Sequence, residues 1–170
     1  MKICIAQTKP IKGNVSENIE AHVKFIELAL TSKSEAIFFP ELSLTGYEPE
    51  LAKKLATNQN DNRMNIFQQI SNNNKIIIGI GLPTATESKI RISMVIFEAN
   101  KPRQTYSKQQ LHSDEFPYFE NGVGQVIIKT NDKNIAPAIC YESLQPIHSE
   151  NAFKLGANVY IASVAKPAKG

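Results

Sequence analysis

The sequence has no tryptophan and only two cysteines, Cys4 and Cys140, among its 170 residues. Two cysteines cannot build a disulfide framework, and the chain contains no CxxC pair of the kind that binds zinc. The longest apolar runs, such as Lys75–Leu82 and Arg91–Phe97, have the length of strands, so we predict no membrane span. The N-terminus has no long apolar stretch typical of a signal peptide, and we therefore expect a cytoplasmic protein.

The chain also has only a small excess of positive over negative charge. The chain carries 19 Lys and Arg against 16 Asp and Glu, a formal net charge of +3. Such a small and evenly spread excess does not favour nucleic acid or a membrane surface as a partner. The length fits one compact domain over residues 1–170, and the residues indicate no cofactor and no metal.

The hydrophobic pattern alternates between strand and helix periods. Asn14 and Glu17 form a capping box before a helix whose apolar residues recur every three to four positions. The pattern predicts an α/β layered fold with a mixed sheet. Predicted strands are Lys2–Thr8, Ala36–Phe39, Lys75–Leu82, Ile90–Glu98, Gln104–Ser107, Gln125–Lys129, Asn134–Cys140 and Asn158–Ala162, with a turn at Thr84–Lys89. Further helices are predicted at Glu50–Ala56, Asp61–Asn73 and Pro146–Leu155.

Three of these strands end in side chains that can do chemistry: Glu41, Lys108 and Cys140. Taken singly, each is more often a structural or surface residue. Cys4, by contrast, lies inside an apolar run and is interpreted as a small buried residue. Because the carboxyl ends of strands in α/β proteins line a common crevice, the three groups could meet there.

A carboxylate, an ammonium and a thiol together suit acyl transfer. Cys140 would attack an amide-type carbon, and Glu41 would move the proton as general base and acid. Lys108 and the backbone N–H of Tyr141 would hold the oxyanion. The N-terminus of a helix just after Cys140 would favour the thiolate.

The segments Phe39–Tyr47, Tyr106–Leu111 and Ile139–Ser143 resemble the three motifs of the nitrilase, or carbon–nitrogen hydrolase, superfamily. Their order along the chain also agrees with that family. The resemblance implies a four-layer α-β-β-α sandwich, no metal, and hydrolysis of an amide or carbamoyl compound through a cysteine thioester. It also implies a second active-site glutamate, for which Glu115 matches best and Glu120 is the rival.

Four further residues are predicted to contact substrate: Tyr47, His112, Tyr141 and Glu142. Tyrosine follows the cysteine where true nitrilases tend to have tryptophan, so we favour an amide over a nitrile. Membrane-bound acyltransferases are disfavoured by the lack of spanning helices. Glutamine-hydrolysing domains fused to a synthetase are disfavoured by the lack of a second domain.

The chain is shorter than is usual in that family, and we expect the fold to be incomplete at its C-terminal end. The leading hypothesis is a small-amide hydrolase. The alternative from another class is a non-catalytic or truncated relative that acts as a binding or assembly partner. The family also commonly self-associates through a surface that corresponds here to about Pro146–Ala162, so a homo-oligomer is possible.

Overall fold

The computed structural model describes residues 1–86 and 89–166 of the chain. The strands are β1 (Ile3–Ile5), β2 (Ala36–Phe38), β3 (Ile77–Ala85), β4 (Ile90–Phe97), β5 (Gln104–Ser107), β6 (Ile128–Lys129), β7 (Asn134–Ile139) and β8 (Val159–Ser163). The helices are α1 (Val15–Thr31), α2 (Ala52–Leu55), α3 (Asn65–Asn74) and α4 (Pro146–Lys154), with short 3-10 turns at Pro49–Leu51, Asn62–Met64 and Cys140–Leu144.

Two mixed sheets form the centre of the fold. The first has the order β1-β2-β3-β4-β5, and the second has the order β6-β7-β8. β1, β2 and β3 run parallel, whereas β3, β4 and β5 are joined antiparallel. In the second sheet β7 is antiparallel to β6 and parallel to β8. β2 and β7 therefore present their carboxyl ends from two different sheets.

The two faces of the first sheet belong to two different cores. Along β4, Val95 and Phe97 pack with residues of α1 and α3, such as Ile26 and Phe67. The alternate residues, among them Met94, pack with residues of the second sheet. This period-of-two alternation means that one sheet buries both of its faces. The first sheet is therefore covered by helices on one side and by the second sheet on the other.

α4 forms the fourth layer. It connects the parallel strands β7 and β8, and its His148 contacts the second sheet through Nδ1, which lies 2.7 Å from the hydroxyl of Tyr160. Apolar side chains in and beside α4 remain exposed, namely Leu144, Ile147, Phe153 and Leu155. This surface lies within the region expected for self-association, which stays a prediction. The four-layer α-β-β-α arrangement with mixed sheets is confirmed.

The main differences from the predicted elements are at strand ends. β1 stops at Ile5 rather than Thr8, and β6 is reduced to two residues, Ile128–Lys129. β3 continues to Ala85, through part of the predicted turn, because its pairing with β4 extends to Ile90. Residues 87 and 88 of that turn and residues 167–170 lie outside the described part of the chain. Within the described part, no helix is both long and apolar enough to cross a membrane.

The helix α1 buries a histidine that sequence reasoning did not single out. Nδ1 of His22 lies 2.6 Å from the carbonyl of Asn18, and Nε2 lies 2.9 Å from the hydroxyl of Ser43. A carbonyl only accepts, so Nδ1 carries the proton and Nε2 accepts from Ser43. The imidazole also stacks on Phe39, with the ring centroids 4.1 Å apart. Burial lowers the pKa of His22 to about 4.

This histidine should make the folded chain sensitive to mild acid. The unfolded imidazole takes up a proton near pH 6.5 and the folded one only near pH 4, so the stability is full above pH 6.5 and is lost as the pH falls toward 4. Between about pH 7.5 and 4.5 the loss from His22 alone is about 2.5 kcal/mol. Urea unfolding of the wild type and of His22→Gln at both pH values measures it. Equal pH dependence in the two proteins would contradict the assignment.

Candidate active site

The structure brings the three strand-end groups together. Nζ of Lys108, directly after β5, donates to Oε1 of Glu41 at 2.8 Å. The thiol of Cys140, directly after β7, lies near enough to the same Glu41 side chain that the carboxylate charge raises the thiol pKa. Lys108 and Glu41 are buried, whereas Cys140 is only partly buried. A thiol, a carboxylate and an ammonium thus share one site, as the strand ends predicted.

The loop that carries Glu41 is shaped by close backbone packing on β3. Leu42 adopts a left-handed conformation with φ 51°, and the chain turns tightly there, with the N–H of Ser43 bonded to the carbonyl of Pro40. A Cβ atom at Gly81 of β3 would lie 2.3 Å from that same Pro40 oxygen. Only glycine permits this approach. The position of Glu41 therefore depends on a residue 40 positions along the chain.

Two contacts that hold Glu41 and the end of β2 before it were missed by sequence reasoning. The backbone N–H of Ala165, just past β8, reaches Oε2 of Glu41 at 3.4 Å. The hydroxyl of Ser163 donates to the carbonyl of Phe39 at 2.8 Å and so joins the ends of β8 and β2. The first contact is made by a backbone group and has no side-chain signature. A serine at the end of a strand is too common to single out.

Cys140 sits at a sharp turn between β7 and the 3-10 turn that follows. Its φ is 49°, a left-handed value that costs free energy for a residue other than glycine. The carbonyl of Cys140 accepts from the hydroxyl of Ser143 at 2.8 Å. The turn therefore fixes the backbone of the cysteine at the carboxyl end of β7.

The second glutamate at the site is Glu115. Its Oε1 accepts from Nζ of Lys108 at 2.6 Å, and its Oε2 accepts from the backbone N–H of His112 at 2.7 Å. The rival Glu120 lies elsewhere, because its carboxylate pairs with Arg91 at 3.1 Å. The geometry thus favours Glu115 as the partner of the lysine.

Three of the four predicted substrate contacts lie beside Glu115. The hydroxyl of Tyr47 donates to Oε1 of Glu115 at 3.0 Å, and burial raises the pKa of that phenol. The ring of His112 is exposed, bonds to Asp114 and meets the ring of Tyr141 edge-on, with centroids 5.2 Å apart. Whether these rings contact substrate stays a prediction.

Glu142 is placed differently from the other three. Its side chain is fully buried, and its carboxylate accepts from the backbone N–H groups of Gln109 and Ile139 and from the hydroxyl of Tyr106. The substrate contact expected for Glu142 stays a prediction, and in this structure protein donors occupy the carboxylate.

Burial and the neighbouring charges both shift the pKa values of the groups at the site. Burial lowers the pKa of Lys108, but the adjacent Glu41 and Glu115 outweigh it and raise that pKa above 10.5. Burial also raises the pKa of Glu41, while Lys108 opposes the shift. The pKa of Cys140 is raised to about 11, first by burial and then by the charge of Glu41. The resting cysteine is therefore a thiol, and the thiolate expected from the following helix is not favoured.

Among the residues that the structure describes, no group of three His, Cys, Asp or Glu side chains could hold a metal ion. The chemistry available to the site is that of a thiol, two carboxylates and an ammonium. A thiol with an adjacent base and a fixed cation is the arrangement of nucleophilic acyl transfer.

The fold and the three motifs together define a family. The family model for carbon–nitrogen hydrolases matches residues 2–169. The chain therefore belongs to the carbon–nitrogen hydrolase family.

Curated relatives include two glutamine-dependent NAD(+) synthetases. The one from Thermotoga maritima is 24% identical over 167 residues, which are 95% of this chain and 29% of that protein. The one from Aquifex aeolicus is 27% identical over 174 residues, which are 98% of this chain and 30% of that protein. The chain thus spans less than a third of the length of these relatives.

Solved structures give the same fold at low identity. A mutant of the amidase from Nesterenkonia sp. AN1, with acrylamide added at the active-site cysteine of that protein, superposes with a TM-score of 0.88 at 18% identity. The match covers 99% of this chain and 68% of the amidase. The glutamine-dependent NAD+ synthetase of Acinetobacter baumannii matches with a TM-score of 0.83 at 21% identity, over 98% of this chain and 32% of that one.

Proposed function

We propose that this chain carries the hydrolytic site for a small amide or carbamoyl compound and cleaves its carbon–nitrogen bond through a thioester on Cys140. The observation that carries the proposal is the position of Glu41. Its carboxylate accepts from the Lys108 ammonium at 2.8 Å, and its charge acts on the Cys140 thiol, so one base serves both the nucleophile and the cation.

In the first half-reaction, the sulfur of Cys140 attacks the amide carbon while its proton passes to Glu41. The raised pKa of the thiol means that this transfer has to accompany the attack. Two of the three N–H bonds of the Lys108 ammonium point to Glu41 and Glu115 among the described residues. The third can stabilise the oxyanion, together with the backbone N–H of Tyr141.

The tetrahedral intermediate then breaks its carbon–nitrogen bond. Glu41 returns the proton to the departing nitrogen, which leaves as ammonia or an amine, and the acyl group stays on sulfur as a thioester. In the second half-reaction Glu41 takes a proton from water, and the hydroxide adds to the thioester carbon. Collapse of that intermediate releases the carboxylic acid and returns the proton to the Cys140 sulfur.

Glutamine is a second candidate substrate. The curated relatives named above are glutamine-dependent synthetases, and the matching part of each covers nearly all of this chain. The lack of a second domain, used above against this class, loses weight because this chain spans only a fraction of those proteins. A glutamine-hydrolysing site would use the same steps and pass ammonia on to another reaction.

The alternative hypothesis, from a class other than enzymes, is a non-catalytic relative that binds a partner. It predicts that no amide ever acylates Cys140. Simple alkylation does not separate the two hypotheses, since a thiol with a pKa of about 11 reacts slowly near neutral pH in either case. An acyl adduct does separate them, because it requires the whole site.

The test is intact-mass spectrometry of the chain after incubation with a panel of small amides, carbamoyl compounds and glutamine. We expect a mass increase equal to the acyl group on Cys140, together with release of ammonia, for one class in the panel. Cys140→Ala should give neither signal, and Cys4→Ser should behave as the wild type. Turnover that survives in Cys140→Ala would contradict the mechanism, and the acyl mass distinguishes glutamine from other amides.

A further inference from the structure

The buried carboxylate of Glu142 holds two separate chain segments together. Its Oε2 accepts from the N–H of Ile139 at 2.7 Å and from the hydroxyl of Tyr106 at 2.8 Å. Its Oε1 accepts from the N–H of Gln109, and the N–H of Gln110 lies 3.4 Å away. All four partners are donors, and the side chain has no exposed surface.

The two segments are the ones that carry the lysine and the cysteine. Gln109 follows Lys108 directly, and its N–H belongs to the peptide that joins the two residues. Ile139 precedes Cys140 directly, and Glu142 lies two residues beyond it. The carboxylate therefore spans the cysteine within its own turn and reaches across to the lysine segment 33 residues away.

The contact with Ile139 also opposes a local strain. Cys140 has a left-handed backbone conformation, which a surrounding structure has to enforce. The bond from the N–H of Ile139 to Glu142 closes the chain around that residue, in the manner of a helix capping box. Without it, the cysteine backbone could relax to a commoner conformation and carry the sulfur away from Glu41.

The far side of the carboxylate is held by a chain of hydrogen bonds. Tyr106 donates its only hydroxyl proton to Glu142, so its oxygen must accept from Nε2 of His148, 2.7 Å away. Nδ1 of that neutral ring then accepts from the hydroxyl of Tyr160 at 2.7 Å. In this chain of bonds, Tyr160, His148 and Tyr106 each donate one proton to the next group, and the last donation, from Tyr106, fixes the orientation of the Glu142 carboxylate.

From these contacts we infer that Glu142 is a positioning residue for carbon–nitrogen bond hydrolysis, which sets the separation of Lys108 and Cys140 by binding the backbone beside each. The inference rests on the proposed function. Misplacement of reacting groups by about 1 Å costs on the order of 10²-fold in rate. The role therefore predicts a large effect on kcat from a residue that touches neither substrate nor reacting atoms.

The variant that tests it is Glu142→Gln in the full chain. Glutamine is nearly isosteric, but its amide NH₂ would face donors where a carboxylate oxygen now accepts. We expect kcat for the amide found above to fall about 10- to 100-fold with KM within about threefold. The matched control is Glu150→Gln, an exposed glutamate on α4, which should keep both constants.

A second measurement does not depend on amide turnover. Iodoacetamide labelling at pH 9, followed by peptide mass spectrometry, gives the rate for Cys140 with Cys4 as an internal reference. We expect Glu142→Gln to slow Cys140 about tenfold, because the displaced Lys108 no longer lowers the thiol pKa, while Cys4 is unchanged. If the wild type has no amide turnover but this difference is found, the proposed function fails, and what stands is that Glu142 sets the separation of Lys108 and Cys140.

Equal kcat and equal Cys140 labelling in Glu142→Gln and Glu150→Gln would overturn the inference. If Glu142→Gln does not fold, Glu142→Asp replaces it, since aspartate keeps the charge and shortens the reach by one methylene group. That variant should lose at least about fivefold in kcat and in labelling rate. Wild-type values in a folded Glu142→Asp would likewise overturn the role.

Discussion

Replacing Glu41 with glutamine is expected to lower amide turnover about 10²- to 10⁴-fold, the usual contribution of a general acid–base. Glu41 is the carboxylate whose charge acts most on the Cys140 thiol, and the raised pKa of that thiol makes a base necessary for attack. The same substitution removes a negative charge that raises the pKa of Cys140. Alkylation by iodoacetamide at pH 9 should therefore become faster while turnover becomes slower.

The opposite signs of these two effects identify the base. Glu115→Gln is the matched control, because Glu115 contacts the same Lys108 ammonium but is also held by the Tyr47 hydroxyl and the His112 backbone N–H. We expect it to lower turnover less, about tenfold, through the orientation of Lys108. Steady-state kinetics and peptide labelling of the three proteins provide the comparison. A larger loss of turnover in Glu115→Gln than in Glu41→Gln would reverse the assignment.

The meeting of Glu41, Lys108 and Cys140 could be predicted because each follows an apolar run that fixes a strand end. Lys108 and Cys140 come immediately after β5 and β7, as the pattern indicated. Glu41 comes three residues after β2, and a positive φ at Leu42 turns its loop back toward the site. The choice of Glu115 over Glu120 needed the family resemblance, because both are loop glutamates with similar neighbours.

The contacts of Glu142 could not be predicted in the same way. Its partners Tyr106 and Gln109 lie 36 and 33 residues away and belong to the other sheet and the loop after it. Nothing in the local sequence distinguishes a glutamate that faces a pocket from one that faces buried N–H groups. The distinction depends on how closely the two sheets approach, which is a tertiary property.

His22 was missed for a related reason. It lies on the apolar side of α1, beside residues such as Ile19 and Val23. At such a position the hydrophobic pattern does not show that a histidine is buried and hydrogen-bonded. Burial keeps the ring neutral, and the hydroxyl that Nε2 meets belongs to Ser43, on the loop that carries Glu41. His22 and Ser43 are therefore buried polar residues that support the loop of Glu41.

The two glutamates and the lysine form a buried group whose charges do not balance, since two carboxylates face one ammonium. Burial is the first cause of the thiol pKa of about 11, and Glu41 adds to it, because a thiolate at Cys140 would be a third anion in this group. A substrate that brings an oxyanion next to Lys108 meets the only cation of the group. Catalysis at such a site depends on moving protons in step with the developing charge, rather than on a standing thiolate.

Replacing Lys108 with methionine should therefore have the largest effect on stability of any change at the site. Lys108 is fully buried and bonded to both carboxylates, at 2.8 Å and 2.6 Å. Removing one partner of a buried ion pair leaves uncompensated charge and costs about 3–5 kcal/mol. Loss of the oxyanion donor should also lower turnover about 10²- to 10³-fold.

The pH dependence of that loss is the decisive measurement. Without the ammonium, burial and repulsion from Glu115 would raise the pKa of Glu41 in the folded chain further above the unfolded value. A group with a raised folded pKa contributes stability below its unfolded pKa and loses it as the pH rises through the folded pKa. Urea unfolding should thus find Lys108→Met closest to the wild type near pH 5 and weakest near pH 8. The double variant Lys108→Met with Glu115→Gln should recover part of the loss at pH 8, and a pH-independent difference would contradict the buried charge group.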